Sequence, residues 1–167
     1  GSKADIRQNV PLMNALDHTE LTDKLIDLCN NGTPYIKFGN GNGKTVVVNV
    51  GTHGGELPSQ VAGLKLINLL ADYGGEINGT IYVIPTIFPE ATANNTRIYN
   101  GINLNTVADV NGTLSNNIVK FAISVGAAGL GDFHNTRHGD DDVGVTCIFC
   151  SESPTPESEV LGEYIVA

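Results

Sequence analysis

The sequence predicts an α/β domain: a mixed β-sheet flanked by helices on both faces. Three observations carry that expectation. A β-branched run, Thr45 to Val50, breaks at Gly51 and is followed by a long amphipathic segment from Glu56 to Tyr73. Further short apolar runs, Thr80 to Ile87, Gly129 to His134 and Val143 to Cys150, alternate with helical patterns, as in layered α/β domains. Pro34 to Phe38 and Thr45 to Val50 flank GNGNGK, a hairpin signal that makes a mixed sheet the expectation rather than an all-parallel one.

The elements follow in order. Thr19 to Cys29 places Leu21, Leu25, Ile26 and Leu28 on a helical repeat, with Thr19 and Asn31-Gly32 as end signals. Val46, Val47, Val48 and Val50 read as a buried strand. In the next helix Val61, Leu64, Leu66, Ile67, Leu69 and Leu70 form one broad apolar face, and Gly74-Gly75 stops it. Pro89 to Thr113 is polar, Asn-rich and aperiodic, the pattern of a long functional loop. Ser115 to Val125 is a helix with Ser115 as N-cap candidate, and a charged loop, NTRHGDDD, separates the last two strands. Pro156 to Ala167 begins another helix, after which the strand usual in such folds does not follow, so the expectation is an incomplete domain spanning residues 3–167. Gly1-Ser2 reads as a cloning remnant.

With 167 residues the chain suits one domain with a real core. A mean hydropathy of -0.01 describes a globular composition, and no run approaches the roughly 18 apolar residues of a membrane span. A net charge of -9 argues against nucleic acid and anionic membrane surfaces as partners. The expected partner, a small-molecule or peptide substrate, is not read from that charge, since the field of a local site can oppose the global one. Of the 3 cysteines, Cys147 and Cys150 form C-x-x-C within a strand, where positions three apart face opposite sides, so buried structural thiols are expected. Asn-Gly-Thr occurs at Asn31, Asn78 and Asn111, which is turn chemistry or a set of glycosylation acceptors; cytoplasmic and secreted or cell-surface locations both stay open.

The chemistry concentrates at strand ends. His53 and Glu56 lie three apart in the turn after the valine strand, where open α/β sheets place their ligands. A catalytic zinc takes three protein ligands and keeps one position for water. Asp132 and His134 share a strand face because they are two apart, and His134 is the better third ligand, leaving Asp132 as a supporting group. His138 reads as a surface residue, and His18 has no evident partner.

These residues, in this order, resemble the zinc carboxypeptidase-like metallohydrolases, and in particular their succinylglutamate desuccinylase/aspartoacylase branch. Gly51-Thr52-His53-Gly54-Gly55-Glu56 matches that branch's Gly-x-His-Gly-x-Glu turn, and Phe88-Pro89-Glu90-Ala91 its Asn-Pro-x-Ala segment. Arg97 and Asn103-Leu104-Asn105-Thr106 stand where it has an arginine and Asp-Leu-Asn-Arg; Asp132-Phe133-His134-Asn135 closes the set. The resemblance implies a carboxypeptidase-like fold and one zinc ion held by His53, Glu56 and His134, with Arg97, Asn105 and Asn135 on the substrate. It implies hydrolysis of an amide by a metal-activated water, either deacylation of N-acyl amino acids or carboxypeptidase-type cleavage. Two departures stand out: Asn103 replaces an aspartate, and Thr106 replaces an arginine that holds a substrate carboxylate. The general-base glutamate of the family is expected beyond residue 167, since Glu152, Glu157, Glu159 and Glu163 read as solvated loop and helix carboxylates. The alternative is a non-catalytic zinc-binding or cell-surface module on the same scaffold.

Overall fold

A computed structural model describes residues 2–135 and 155–166. The expected Val143–Cys150 strand, its loop with His138, the C-x-x-C pair and Glu152 lie outside the described residues. The chain divides into two units, residues 1–135 and 136–167, and the sheet and the site lie in the first.

Among the described residues the sheet has four strands: β1 (Ile36–Phe38), β2 (Thr45–Val50), β3 (Thr80–Ile84) and β4 (Gly129–Phe133). Their spatial order is β1-β3-β2-β4, with β1 antiparallel to β3 and the other pairs parallel. The sheet is mixed, as expected, but the hairpin is not formed. The GNGNGK segment crosses the start of β3 and delivers β1 to its far side. Asn40 and Gly41 donate their backbone N–H to the Ile77 and Gly79 carbonyls, at 3.0 Å each. A Cβ on Gly39 would lie 2.1 Å from the Gly79 oxygen, so only glycine passes there. The glycines read as a turn serve instead as a crossing.

Between β2 and β3 runs α3 (Leu57–Asp72), and between β3 and β4 run α4 (Pro89–Ala93) and α5 (Leu114–Ser124). The first crossover steps toward β1 and the second steps back past β2. Right-handed crossovers in opposite directions put their helices on opposite faces of a sheet, and the chain has one core on each. Val83 joins Leu64 and Ile67 of α3 with residues of α1 (Val10–Ala15) and α2 (Glu20–Leu28), among them Leu12, Leu25 and Ile26. The neighbours of Val83 along the strand, Tyr82 and Ile84, turn the other way and pack with Val47, Phe88, Phe121 and Ala122. Leu28 and Leu69, read as core, are solvent-exposed: Leu28 sits at the edge of its helix's buried arc, and Leu69 on the side of α3 away from Leu64 and Ile67.

Several elements differ from expectation. α1 is missing from the sequence reading because six residues are too few to show a period; Asn9 caps it by accepting from the Leu12 N–H at 3.1 Å. The segment read as an aperiodic loop begins with α4 and holds a 3-10 turn at Leu104–Thr106. Thr113, not Ser115, caps α5, accepting from the Asn116 N–H at 3.1 Å, while the Ser115 hydroxyl donates to the Leu104 carbonyl. His18 has partners after all: its ring lies 2.7 Å from both Asp23 Oδ1 and the Met13 carbonyl. The second unit contributes α6 (Pro156–Val166), which carries Glu157, Glu159 and Glu163 on its exposed surface.

Candidate metal centre

The site grows out of the carboxyl ends of β2 and β4, which pair side by side with Asn49 opposite Asp132 and Val50 opposite Phe133. After β2 the turn carrying His53 presses onto α4. A Cβ on Gly54 would fall 2.1 Å from the backbone carbon and oxygen of Ala91. The glycine is required there by proximity. Gln60, fully buried on α3, clamps the same junction: its amide nitrogen donates to the Gly54 carbonyl at 3.2 Å, and the Thr92 hydroxyl donates to its oxygen at 2.9 Å. No short-range pattern marks Gln60; its role appears only once α4 exists.

Glu56 occupies the N-cap position of α3 without capping it. Its carboxylate is turned into the site, which leaves the first-turn N–H groups to other partners. Asn135, just past β4, supplies one: its side-chain oxygen accepts from the Ser59 N–H at 3.1 Å. The Asn135 backbone N–H donates to Glu56 Oε2 at 3.2 Å. Asn135, expected on the substrate, thus holds the Glu56 carboxylate in place and joins the two strand ends.

His53, Glu56 and His134 each offer an atom, and these atoms all lie within 4.8 Å of one another. His53 Nδ1 is 2.6 Å from Glu56 Oε1, and His134 Nδ1 is 3.0 Å from Glu56 Oε2. The far nitrogen of each ring is held from behind. His53 Nε2 is 2.8 Å from Asn103 Oδ1, an oxygen that also accepts the Asn105 N–H at 3.1 Å and so caps the 3-10 turn. That second bond orients the amide oxygen toward the ring and assigns the His53 proton to Nε2. Nδ1 then faces Glu56 with a lone pair. The Asn103 departure therefore keeps an acceptor behind His53 and removes only its charge. His134 Nε2 is 2.9 Å from Asp132 Oδ2, and the other oxygen of Asp132 accepts from Asn49 at 2.6 Å and Thr52 at 3.0 Å. This is the arrangement that orients imidazoles for a metal ion, with the remote N–H bound to a carboxylate or amide.

Electrostatics follow from that geometry. Burial pushes the Glu56 carboxyl up, but the hydrogen bond from His134 and the close His53 ring outweigh it and leave the group well below the usual carboxylate range. Asp132, then Glu56, push the His134 imidazole up to about 10 against the cost of its burial. Arg97 adds another positive charge: Nη1 is 2.9 Å from Glu56 Oε1 and 3.2 Å from His53 Nδ1. The resemblance places Arg97 on the substrate; the structure brings it onto Glu56 and His53. Asn105 contributes its backbone N–H to Asn103 and lines a cavity of about 70 Å³ beside Thr52 and Asp132.

Two facing acceptors, a lone pair on His53 and a carboxylate oxygen, call for positive charge beside them, and Arg97 Nη1 supplies it in this structure. Two imidazoles and one carboxylate form a donor set suited to zinc or a similar divalent ion. The residues present fit such an ion.

A mixed sheet with both faces covered and a His/Glu/His set at its carboxyl edge defines the carboxypeptidase-like class of α/β folds. Within it, the chain resembles the succinylglutamate desuccinylase/aspartoacylase branch. An aspartoacylase family protein from Mesorhizobium loti aligns at TM-score 0.54 and 25% identity, over 62% of this chain and 34% of that one. A succinylglutamate desuccinylase/aspartoacylase from Rhodobacter sphaeroides aligns at TM-score 0.50 and 28% identity, over 64% of this chain and 34% of that one. A Burkholderia mallei structure described as a carboxypeptidase shares the fold at TM-score 0.58 and 19% identity, over 77% of this chain and 37% of that one. The chain thus spans about a third of the length of these solved relatives. No protein-family model and no curated protein sequence matches it.

Proposed function

We propose that this chain is the metal-binding part of a zinc-dependent hydrolase that cleaves an amide bond, a deacylase of N-acyl amino acids or a carboxypeptidase-type peptidase. The observation that carries the proposal is the convergence of His53 Nδ1, His134 Nδ1 and the Glu56 carboxylate within 4.8 Å, with the far nitrogen of each ring anchored by Asn103 or Asp132. A zinc ion supplies Lewis acidity there and brings the pKa of water to about 7. In this reading the protein's own residues do the rest. Asp132 and Asn103 fix the ring orientations, and Asn135 fixes Glu56. Arg97 supplies positive charge for an anionic group of the substrate or for oxygen charge developing during cleavage. Asn105 borders the space next to the ligands, where a substrate amide can be hydrogen-bonded. A glutamate for proton transfer to the leaving amine remains an expectation for a region outside the described residues.

Thr106 supports a second reading, a metal-binding module without catalysis, because it lacks the guanidinium that grips a substrate carboxylate. Metal analysis and assay separate the two. Purified without chelators, the protein is expected to hold close to one equivalent of zinc, and Glu56→Gln to lose it. Zinc far below one equivalent in the wild type ends the proposal. Zinc at one equivalent, with no hydrolysis of N-acyl amino acids or peptides by the full-length protein, leaves the module.

A further inference from the structure

We infer that Arg97 is a built-in competitor for the metal site, and that metal loading must release its guanidinium toward the mouth of the site. The inference rests on the ligand assignment of the preceding section.

The His53 proton is committed to Asn103, whose oxygen is held in place by the Asn105 N–H. Nδ1 therefore has one lone pair to give. Arg97 Nη1 lies 3.2 Å from that nitrogen and 2.9 Å from Glu56 Oε1, so one guanidinium N–H group reaches the two atoms a metal ion needs. A lone pair cannot serve an N–H donor and a metal at once. The repulsion between a divalent ion and a guanidinium a few ångströms away opposes joint occupancy as well. Arginine has no neutral form to fall back on at ordinary pH, so it yields by moving.

The surroundings allow the movement. Glu56 is almost wholly buried, with side-chain exposure of 4%, whereas Arg97 is 37% exposed. Arg97 follows Asn95, a non-glycine residue in the left-handed region at φ 53°, in the connection between α4 and the 3-10 turn. Its side chain can turn to solvent without opening either core. The carboxylate cannot follow, because the Asn135 N–H holds its other oxygen, as His134 also does until its Nδ1 takes the metal. The ion pair is thus asymmetric: a fixed anion and a cation free to leave. Release has a consequence for substrate. The guanidinium becomes available to an anionic group only after metal has replaced it on Glu56, so metal binds before the anion.

The test is calorimetric titration of zinc into chelator-stripped protein, for wild type, Arg97→Met and Arg97→Lys, with circular dichroism to establish that each is folded. Competition predicts that Arg97→Met binds zinc about tenfold more tightly than wild type, with Arg97→Lys between them. Wild type that binds zinc while Arg97→Met binds it equally or more weakly overturns the inference and leaves the ligand assignment standing. No zinc binding by any of the three overturns the ligand assignment, and the inference with it.

Discussion

The two strand ends that supply the histidines are built by different means. At the end of β2, His53 is almost fully buried, and its turn is set by packing: Gly54 against Ala91, with Gln60 clamped between Gly54 and Thr92. At the end of β4, His134 is partly open, and its position is set by charge: Asp132 on one ring nitrogen and Glu56 on the other. Packing fixes geometry within tenths of an ångström and tolerates no added atom. A charge network fixes protonation as well as position, and it responds to pH. The two ends should therefore fail in different ways.

The largest effect is expected at the packed end. Gly54→Ala puts a methyl group into the Ala91 backbone, which cannot retreat like a flexible side chain. A loss of about 3 kcal/mol in urea unfolding is expected, together with loss of zinc binding. A variant as stable as wild type that still binds zinc would erase the distinction between the ends.

At the charged end, Asp132→Asn should leave the fold standing and weaken zinc about tenfold, because the acceptor behind His134 loses its charge. Easier deprotonation of the ring offsets part of that loss. The same variant carries a pH signature. The His134 pKa rises on folding from the ordinary 6.5 to about 10, so its contribution to the stability of chelator-stripped protein is complete below pH 6.5 and is lost as pH rises through about 10. Urea midpoints should fall across that window in wild type and fall less in Asp132→Asn. Equal slopes would show that Asp132 does not control the ring.

The smallest effect sharpens the comparison from the other side. Asn103→Asp places a charge behind His53 and makes the two ends alike. Zinc affinity should rise by less than about tenfold, with Gly54 packing and stability unchanged. A fall would mean that the neutral amide is the better partner for the buried ring.

What the sequence revealed of this site was its local part. The valine run, the glycines after it, His53 and Glu56 are neighbours in the chain, and the two-residue spacing of Asp132 and His134 places them on one strand face without reference to anything else. The missing pieces depend on distant pairing. β1 is separated from β3 by all of β2 and α3, so no local pattern identifies β3 as its partner. Gln60 looks like a surface amide until α4 brings it to the turn, and Asn103, noted only as a motif position that lacks its aspartate, meets the ring through the 3-10 turn. Arg97 reads as a residue for substrate because its distance from Glu56 in sequence hides its contact in space.

The bond from the Asn135 side chain to the Ser59 N–H spans 76 positions of the chain and ties the start of α3 to the end of β4. It gives the site a place in time. During synthesis the first two ligand groups emerge long before the third, and nothing closes the set until β4 docks beside β2 and caps the helix. A nascent chain that stops before β4 has the turn and the helix but, in the proposed reading, only two of the three metal ligands. In the proposed reading, acquisition of a metal would then belong among the last events of folding, where it seals a finished structure rather than seeding one.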